Sequence, residues 1–227
     1  MQHAIWGKSF TEVVPATILK VTQQIGGVTA GAFDASDRLL GFVFGMTGVQ
    51  GDNLVHWSDL LAVHPDARNG GLGERLKHYQ RDLLVPLGVK TMFWTYDPLV
   101  AKNAYLNIVK LGARPAEYIV NMYGSATQSA LHGALGTDRF VVAWDLTSKG
   151  HSAEGFPSEL DDPDVVRVEI PADIEQMIAT DFDAAMRLRE STRQAFTSYM
   201  AGGYQVIGFS HSMPGDRYSY LLSKSSA

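Results

Sequence analysis

Apolar and polar positions along this chain fall into two periods, and the switches between them mark out the elements. Within Met1–Gln24 the apolar residues Ile5, Trp6, Val13, Val14, Ile18, Leu19 and Val21 give short helical pieces, with Pro15 suited to the first turn of the second. Gly26-Gly27 breaks the pattern. Residues 28–33 and 39–47, joined by Asp34-Ala35-Ser36-Asp37, read as an antiparallel hairpin. Its small residues alternate with larger ones, as in Gly41-Phe42-Val43-Phe44-Gly45, which suits strands packed closely by helices. Trp57–Val63 is a buried strand that leads through Pro65 and a glycine-rich loop at Asn69–Gly73 into a helix with Leu72, Leu76, Tyr79, Leu83 and Leu87 on one side. Pro86 ends or kinks that helix and Gly88 stops it.

A strand follows at 89–96, then Asp97-Pro98 opens a helix over 99–111 that Gly112 terminates. The run from Trp57 through Tyr96 is a strand–helix–strand crossover, so its two strands are expected to be parallel and close neighbours. Further strands are predicted at 118–123 and 138–146. Residues 147–164, rich in Gly, Ser, Pro and acidic residues, read as a linker. Beyond it come a strand (165–170), a helix opened by Pro171 and Asp173 (171–180), a longer helix (182–201), Gly202-Gly203, a strand (204–210), a turn through Pro214-Gly215-Asp216 and a last strand (218–223). This tail repeats the order helix, glycine, strand found in residues 103–123, without a glycine-rich loop of its own.

A strand that feeds a glycine loop and then a helix N-terminus is built to hold an anion. Glycines let the backbone approach closely, the first-turn amides have no intrahelical acceptors, and the helix dipole puts positive charge where they point. Leu76 stands where a dinucleotide-binding fingerprint needs its third glycine, and no Lys-Ser or Lys-Thr follows as in a Walker loop. Arg68-x-x-Gly71-x-Gly73, directly after Leu61-Ala62-Val63-His64-Pro65, instead resembles the coenzyme A pyrophosphate loop of the GNAT (N-acetyltransferase) superfamily. Trp94-Thr95-Tyr96-Asp97-Pro98-Leu99, Asn103-Ala104-Tyr105-Leu106-Asn107, Lys110-Leu111-Gly112-Ala113, Asn121-Met122-Tyr123-Gly124 and Thr137-Asp138-Arg139 together look like a bacterial branch of that superfamily with a C-terminal extension.

The resemblance implies an α/β fold: a GNAT-type mixed central sheet flanked by helices, carrying a C-terminal α+β extension. It divides the chain into an acyltransferase-like domain over residues 1–146, the linker 147–164, and an extension over 165–227 that resembles a degenerate GNAT half. The opening strand usual in such domains is missing, so an exposed sheet edge is expected to be satisfied by the tail or by a second subunit in a homodimer. The implied cofactor is acetyl-CoA. Backbone groups of Leu61, Ala62 and Val63 would meet the pantetheine arm and the oxyanion, and Arg68, Asn69, Gly70, Gly71, Leu72, Gly73 and Glu74 the pyrophosphate. Asn103 would meet the cofactor amides. The family's thiolate-protonating tyrosine, four residues before the equivalent of Gly112, is replaced here by Ile108.

Composition narrows this little further. A chain of 227 residues that is 45% hydrophobic can bury a sizeable core. A net charge of −5 argues against a broad nucleic-acid surface. The absence of cysteine removes disulfides, thiolate metal sites and cysteine nucleophiles together, and the Asp and His spacings suggest no metal site. No apolar run approaches the ~20 residues that span a bilayer, and no charged-then-apolar leader opens the chain; a cytoplasmic protein with no membrane partner is the expectation.

For a base that deprotonates an acceptor amine, Asp59 is expected on the same strand face as Leu61, with His56 and Ser58 on the other face. His56 titrates near neutrality and is the rival base; His64 is expected to shape the turn before the loop. Tyr105, and after it Tyr96, are the candidate proton donors, and Arg75, Lys77 and His78 read as solvated helix charges. The expected function is acetyl-CoA-dependent N-acetylation of a small primary amine by direct attack on the thioester. The alternatives are a coenzyme A-binding module without turnover, or an acyltransferase using another acyl group or an oxygen acceptor.

Overall fold

The computed structural model describes residues 1–8, 10, 12–124, 135–148, 164–212 and 217–224. The predicted turn at Pro214-Gly215-Asp216 and all of the predicted linker except Thr147, Ser148 and Asp164 lie outside the described residues. A six-stranded mixed sheet has the order β1-β2-β3-β4-β6-β5, with β1 Val28–Phe33, β2 Leu39–Gln50, β3 Asn53–Val63, β4 Thr91–Tyr96, β5 Arg114–Ile119 and β6 Arg139–Asp145. A second sheet has the order β7-β9-β8, from β7 Val166–Pro171, β8 Tyr204–Ser212 and β9 Arg217–Lys224. The helices are α1 Gln2–Trp6, α2 Ala16–Gln24, α3 Leu72–Leu84, α4 Ala101–Ala104 continuing as wider π turns over Tyr105–Lys110, α5 Ile174–Thr180 and α6 Phe182–Ala201. No helix among the described residues is long and apolar enough to cross a membrane. The chain packs as two compact units that share strands β4 and β6.

The first unit holds Met1–Trp94 and the end of β6 from Trp144. Strands β1, β2 and β3 are antiparallel, and β3 pairs with β4 in parallel, as the crossover requires. One face of this sheet buries Phe42, Phe44 and Ala62 beneath Met1, Ile5, Trp6, Val14, Leu19, Leu39 and Leu60. The opposite face lies against α3, where the small residues of β2 set the spacing. A Cβ at Gly41 would stand 3.1 Å from Leu76 Cδ1, and one at Gly45 would run into the ring of His56 and the amide of Gln80.

Two features depart from the sequence pattern. The β2–β3 register slips between Phe44 and Gly45, leaving Asp59 as the extra residue of a bulge. A bulge reverses the alternation beyond it, so Leu61, paired with Val43, returns to the α3 face already occupied by His56 and Ser58. The expected sharing of a face by Asp59 and Leu61, opposite His56 and Ser58, is therefore corrected. In α3 the buried positions are Leu76, Lys77, Gln80 and Leu84, while Tyr79, Leu83 and, just past the helix, Leu87 are exposed. The polar side chains of β3 select polar partners on α3, and that turns the expected apolar stripe partly outward.

The second unit takes Thr95 onward through β5, the body of β6, and the tail from β7 to β9. Its core is aromatic: Tyr118, Phe140, Phe196, Phe209 and Tyr220, with neighbouring ring centroids 4.7–5.5 Å apart in tilted and edge-to-face geometry. The expected tail helix over 182–201 is α6, whose start is capped by Asp181 accepting from the Ala184 amide. Ion pairs accompany the rings, one buried and one half-buried. Arg189 donates to Asp97 at 2.6 Å, and Arg193 grips Asp138 through Nε and Nη2 at 2.9 and 3.0 Å. The strand expected at 118–123 begins earlier, as β5, and stops at Ile119 because the Asn121 and Tyr123 amides turn to the side chains of Asp138 and Thr137.

Candidate functional site

The parallel ladder between β3 and β4 consists of Val55 with Thr91, His56 with Met92 and Trp57 with Phe93, and there it ends. Strand β3 runs on to Val63, held on its other edge by β2 as far as Gly41. Among the described residues no strand therefore pairs with the β4-side edge of Ser58–Val63, which leaves a gap in the ladder, and the Asp59 bulge sits where that gap opens. Such an edge pairs with an extended chain of amides as readily as with another strand.

This edge leads directly into the glycine loop. The His64 amide donates to Leu40 O at 2.7 Å, and a single 3-10 turn over Pro65–Ala67 follows, its start capped by His64 Nδ1 accepting from the Asp66 amide at 3.3 Å. The expected turn-shaping role of His64 is what the structure places there. Asn69 and Gly71 take left-handed backbone, with φ of 63° and 72°. Gly71 is the N-cap of α3, and no side chain caps this end of the helix. The first-turn amides and the dipole of a 13-residue helix therefore face outward over glycine, with nothing within 4 Å of where a Cβ at Gly71 would stand. Arg68 is exposed and its Nε bends back toward Val63 O at 3.4 Å. Leu61, Ala62, Val63, Arg68, Asn69, Gly70, Gly71, Leu72, Gly73 and Glu74 thus form one continuous edge, loop and helix start. Asn103 and Tyr105 belong to the second unit: Asn103 is half-buried on α4, and Tyr105 is 44% exposed where the π turns begin.

Beneath the opening of the gap lies a polar chain between β3 and α3. Lys77 Nζ donates to Ser58 Oγ at 2.7 Å, and Ser58 donates to Gln80 Oε1 at 2.9 Å. That leaves the Gln80 amide nitrogen to donate to His56 Nε2 at 2.9 Å. His56 must then carry its proton on Nδ1 and give it to Thr47 Oγ1 at 3.0 Å, whose own hydroxyl donates to Gly26 O at 2.6 Å. Every donor in the chain runs the same way, so His56 is held as the neutral ring, and burial together with the charge of Lys77 lowers its pKa to about 4. Fully buried, with both ring nitrogens engaged, His56 is not free to take a proton from an acceptor.

Lys77 is 1% exposed, with Nζ 3.7 Å from the centroid of the Trp94 ring, and burial pushes its pKa well below that of an ordinary lysine. It is not the solvated helix charge that its position in an amphipathic helix suggests. The signal for this cluster was the spacing His56-x-Ser58 on a strand, which puts two polar side chains on one face where alternation would bury them.

Asp59 stays open to solvent at the bulge, yet its crowded surroundings and the nearby Glu12 carboxylate raise its pKa above the ordinary aspartate value. Tyr96 is buried against Phe140, and burial drives its pKa far up, so it is a packing aromatic. Ile108 is fully buried. Among the described residues no group of His, Asp and Glu could hold a metal ion.

No protein-family model matches the chain, and no curated protein matches it. Solved structures do. The NatB acetyltransferase complex bound to a bisubstrate inhibitor superposes with a TM-score of 0.50 over 65% of this chain and 86% of that one, at 15% identity. The ribosomal-protein-S18-alanine N-acetyltransferase of Escherichia coli matches with a TM-score of 0.48 over 66% and 88% of the two chains, at 20% identity. Arabidopsis thaliana Naa50, in complex with a coenzyme A bisubstrate analogue, gives 0.48 over 63% and 89%, at 16% identity. The mixed sheet flanked by helices is the GNAT fold, with a second small sheet at the C-terminus.

Proposed function

We propose that this protein is an acetyl-CoA-dependent N-acetyltransferase that acts on a small primary amine by direct attack on the thioester. The observation that carries the proposal is the parting of β3 from β4 at Trp57 and Phe93, a gap that runs along Ser58–Val63 into the uncapped start of α3. A ligand with an amide-rich arm and a pyrophosphate at one end matches both parts: the arm pairs with the strand edge and the phosphates take the loop amides. The GNAT fold supports the same ligand, NatB itself having been solved with a bisubstrate inhibitor. Asn103 is assigned to the amides of the arm by resemblance.

Asp59 is proposed as the base. It lies at the bulge, is open to solvent, and has a raised proton affinity. With Glu12 it makes an acidic entrance suited to an ammonium group. Asp59 takes a proton from the ammonium. The free amine nitrogen then attacks the thioester carbonyl carbon while a backbone N–H of the β3 edge meets the oxyanion. The C–S bond breaks as the amide forms, the nitrogen gives up its second proton to water, and sulfur leaves as the thiolate, acceptable for a thiol of pKa around 8.5. With Ile108 at the family's tyrosine position, protonation of that thiolate falls to water or to Tyr105.

Asp59→Asn should lower turnover by roughly 10²-fold, the lower end for lost general-base assistance, and raising the pH should restore part of it because a more basic medium supplies free amine. Tyr105→Phe should retain most activity. A dead Tyr105→Phe beside an unaffected Asp59→Asn reverses the assignment. Arg68→Ala should weaken coenzyme A binding by less than tenfold, and the loss should shrink as salt rises, since an exposed guanidinium acts through screened attraction. Buried Ile108 favours one rival, a coenzyme A-binding module without turnover. A panel of primary amines with detection of released thiol separates the two: binding by calorimetry with no thiol release from any acceptor, even in Ile108→Tyr, establishes the module.

A further inference from the structure

Two stretches of the chain repeat one order of elements. Strands β4, β5 and β6 with α4 between the first two have the order β4-β6-β5; strands β7, β8 and β9 with α5 and α6 between the first two have the order β7-β9-β8. The agreement extends to single residues. Helix α4 ends before Gly112 (φ 66°) and α6 before Gly203 (φ 82°), a step of 91 residues (112 to 203). Each following strand has a register slip at the same place, between Pro115 and Glu117 in β5 and between Val206 and Gly208 in β8. Past the slip, Tyr118 faces Phe140 in the first copy, and Phe209 faces Tyr220 in the second. Before it, Pro115 faces Val142, and Val206 faces Leu222. The 91-residue step thus carries β5 onto β8, and a step of 80 residues (140 to 220) carries β6 onto β9. Both aromatic cross-strand pairs are edge-to-face, with centroids 5.4 and 5.0 Å apart.

Equivalent parts also touch one another, as they do across a two-fold axis. Phe140 meets its counterpart Tyr220 at 5.5 Å, and β5 packs on β8. Helix α6 of the second copy lies on β5 of the first, and the π turns of α4 lie on β8. We infer that residues 166–224 are a second copy of the β4–β6 half-domain, and that the face carrying Tyr118 and Phe140 is a pairing surface for such half-domains, filled here by the chain's own repeat. Arg193 on Asp138, Arg189 on Asp97 and the Tyr220 hydroxyl on Pro98 O at 2.8 Å lock the two copies together.

The test starts from the full chain with a protease site introduced between residues 150 and 160 and the backbone cut after folding. The two pieces should stay together on size exclusion. Arg193→Asp combined with Tyr220→Ala should part them, with at least a tenfold weaker association, and circular dichroism of the uncut variant verifies that it is folded. The released N-terminal piece, its Phe140 face uncovered, should then form a discrete dimer by light scattering. Pieces that separate without any substitution overturn the pairing, as does an association unmoved by both substitutions. A released piece that is a monomer or an open-ended aggregate overturns the assignment of that face to half-domain pairing. None of these readouts depends on acetyl transfer.

Discussion

Acidification from pH 7.5 to pH 4 is expected to remove about 3 kcal/mol of folding stability through one residue, His56, at ~1.36 kcal/mol for each unit between its ordinary pKa of 6.5 and its folded value of about 4. The sign follows from the donor chain. Gln80 donates to His56 Nε2, so a proton can be added there only by breaking that bond beside the Lys77 amine. The unfolded chain binds the proton from pH 6.5 downward and the folded one only near pH 4, so the contribution is whole above 6.5 and is lost as pH falls through that window. Lys77 acts in the same direction at higher pH. Its folded pKa lies well below 10.5, so stability should continue to rise from neutral pH toward 10. Denaturant midpoints across pH 4–10 read both. His56→Gln should flatten the acid limb and Lys77→Met the alkaline one, with Lys77→Met also raising the midpoint at pH 7 by removing a buried amine that no acid neutralises among the described residues. An unchanged acid limb in His56→Gln would show that the ring is not held neutral as drawn.

The sequence disclosed most where backbone geometry leaves few choices. Gly88 and Gly112, read as helix stops, both have left-handed backbone, and the strand–helix–strand spacing from Trp57 to Tyr96 dictated the parallel pairing. Side-chain direction was less legible. Alternation places Asp59 with Leu61, but an inserted residue is invisible to a period of two, and the bulge at Asp59 exchanges the faces of everything after it. A lysine in an amphipathic helix reads as solvated because its charge wants water. Lys77 is buried instead because Gly41 and Gly45 let α3 lie close to a strand face that already carries His56 and Ser58. The parting of β3 from β4 depends on the relative course of two strands, and no local pattern reports it. The tail repeat was visible only as an order of elements; its register and its bulge had to be seen.

Gly71→Val is expected to lower coenzyme A affinity at least a hundredfold while costing only ~1–2 kcal/mol of stability, the strain of a branched residue in left-handed backbone. The two effects separate because of where the new atoms go. Apart from Gly71 and its chain neighbours, no atom of the described residues lies within 4 Å of a Cβ at Gly71, so the substitution meets no clash among them. The space it fills lies over the uncapped first-turn amides of α3, where a pyrophosphate would have to sit to accept from them. Gly88→Val provides the control. It stands beyond the other end of the same helical run with φ of 84°, also with nothing within 4 Å of its Cβ, and should carry a similar strain with no change in affinity. Calorimetry with coenzyme A gives the affinity and thermal melting gives the cost. If Gly71→Val binds as the unsubstituted protein does, the loop is not the anion site and the acetyl-CoA proposal fails with it. If both substitutions reduce binding equally, the loss comes from strain spread along α3, and the amides at its start are not what holds the phosphates.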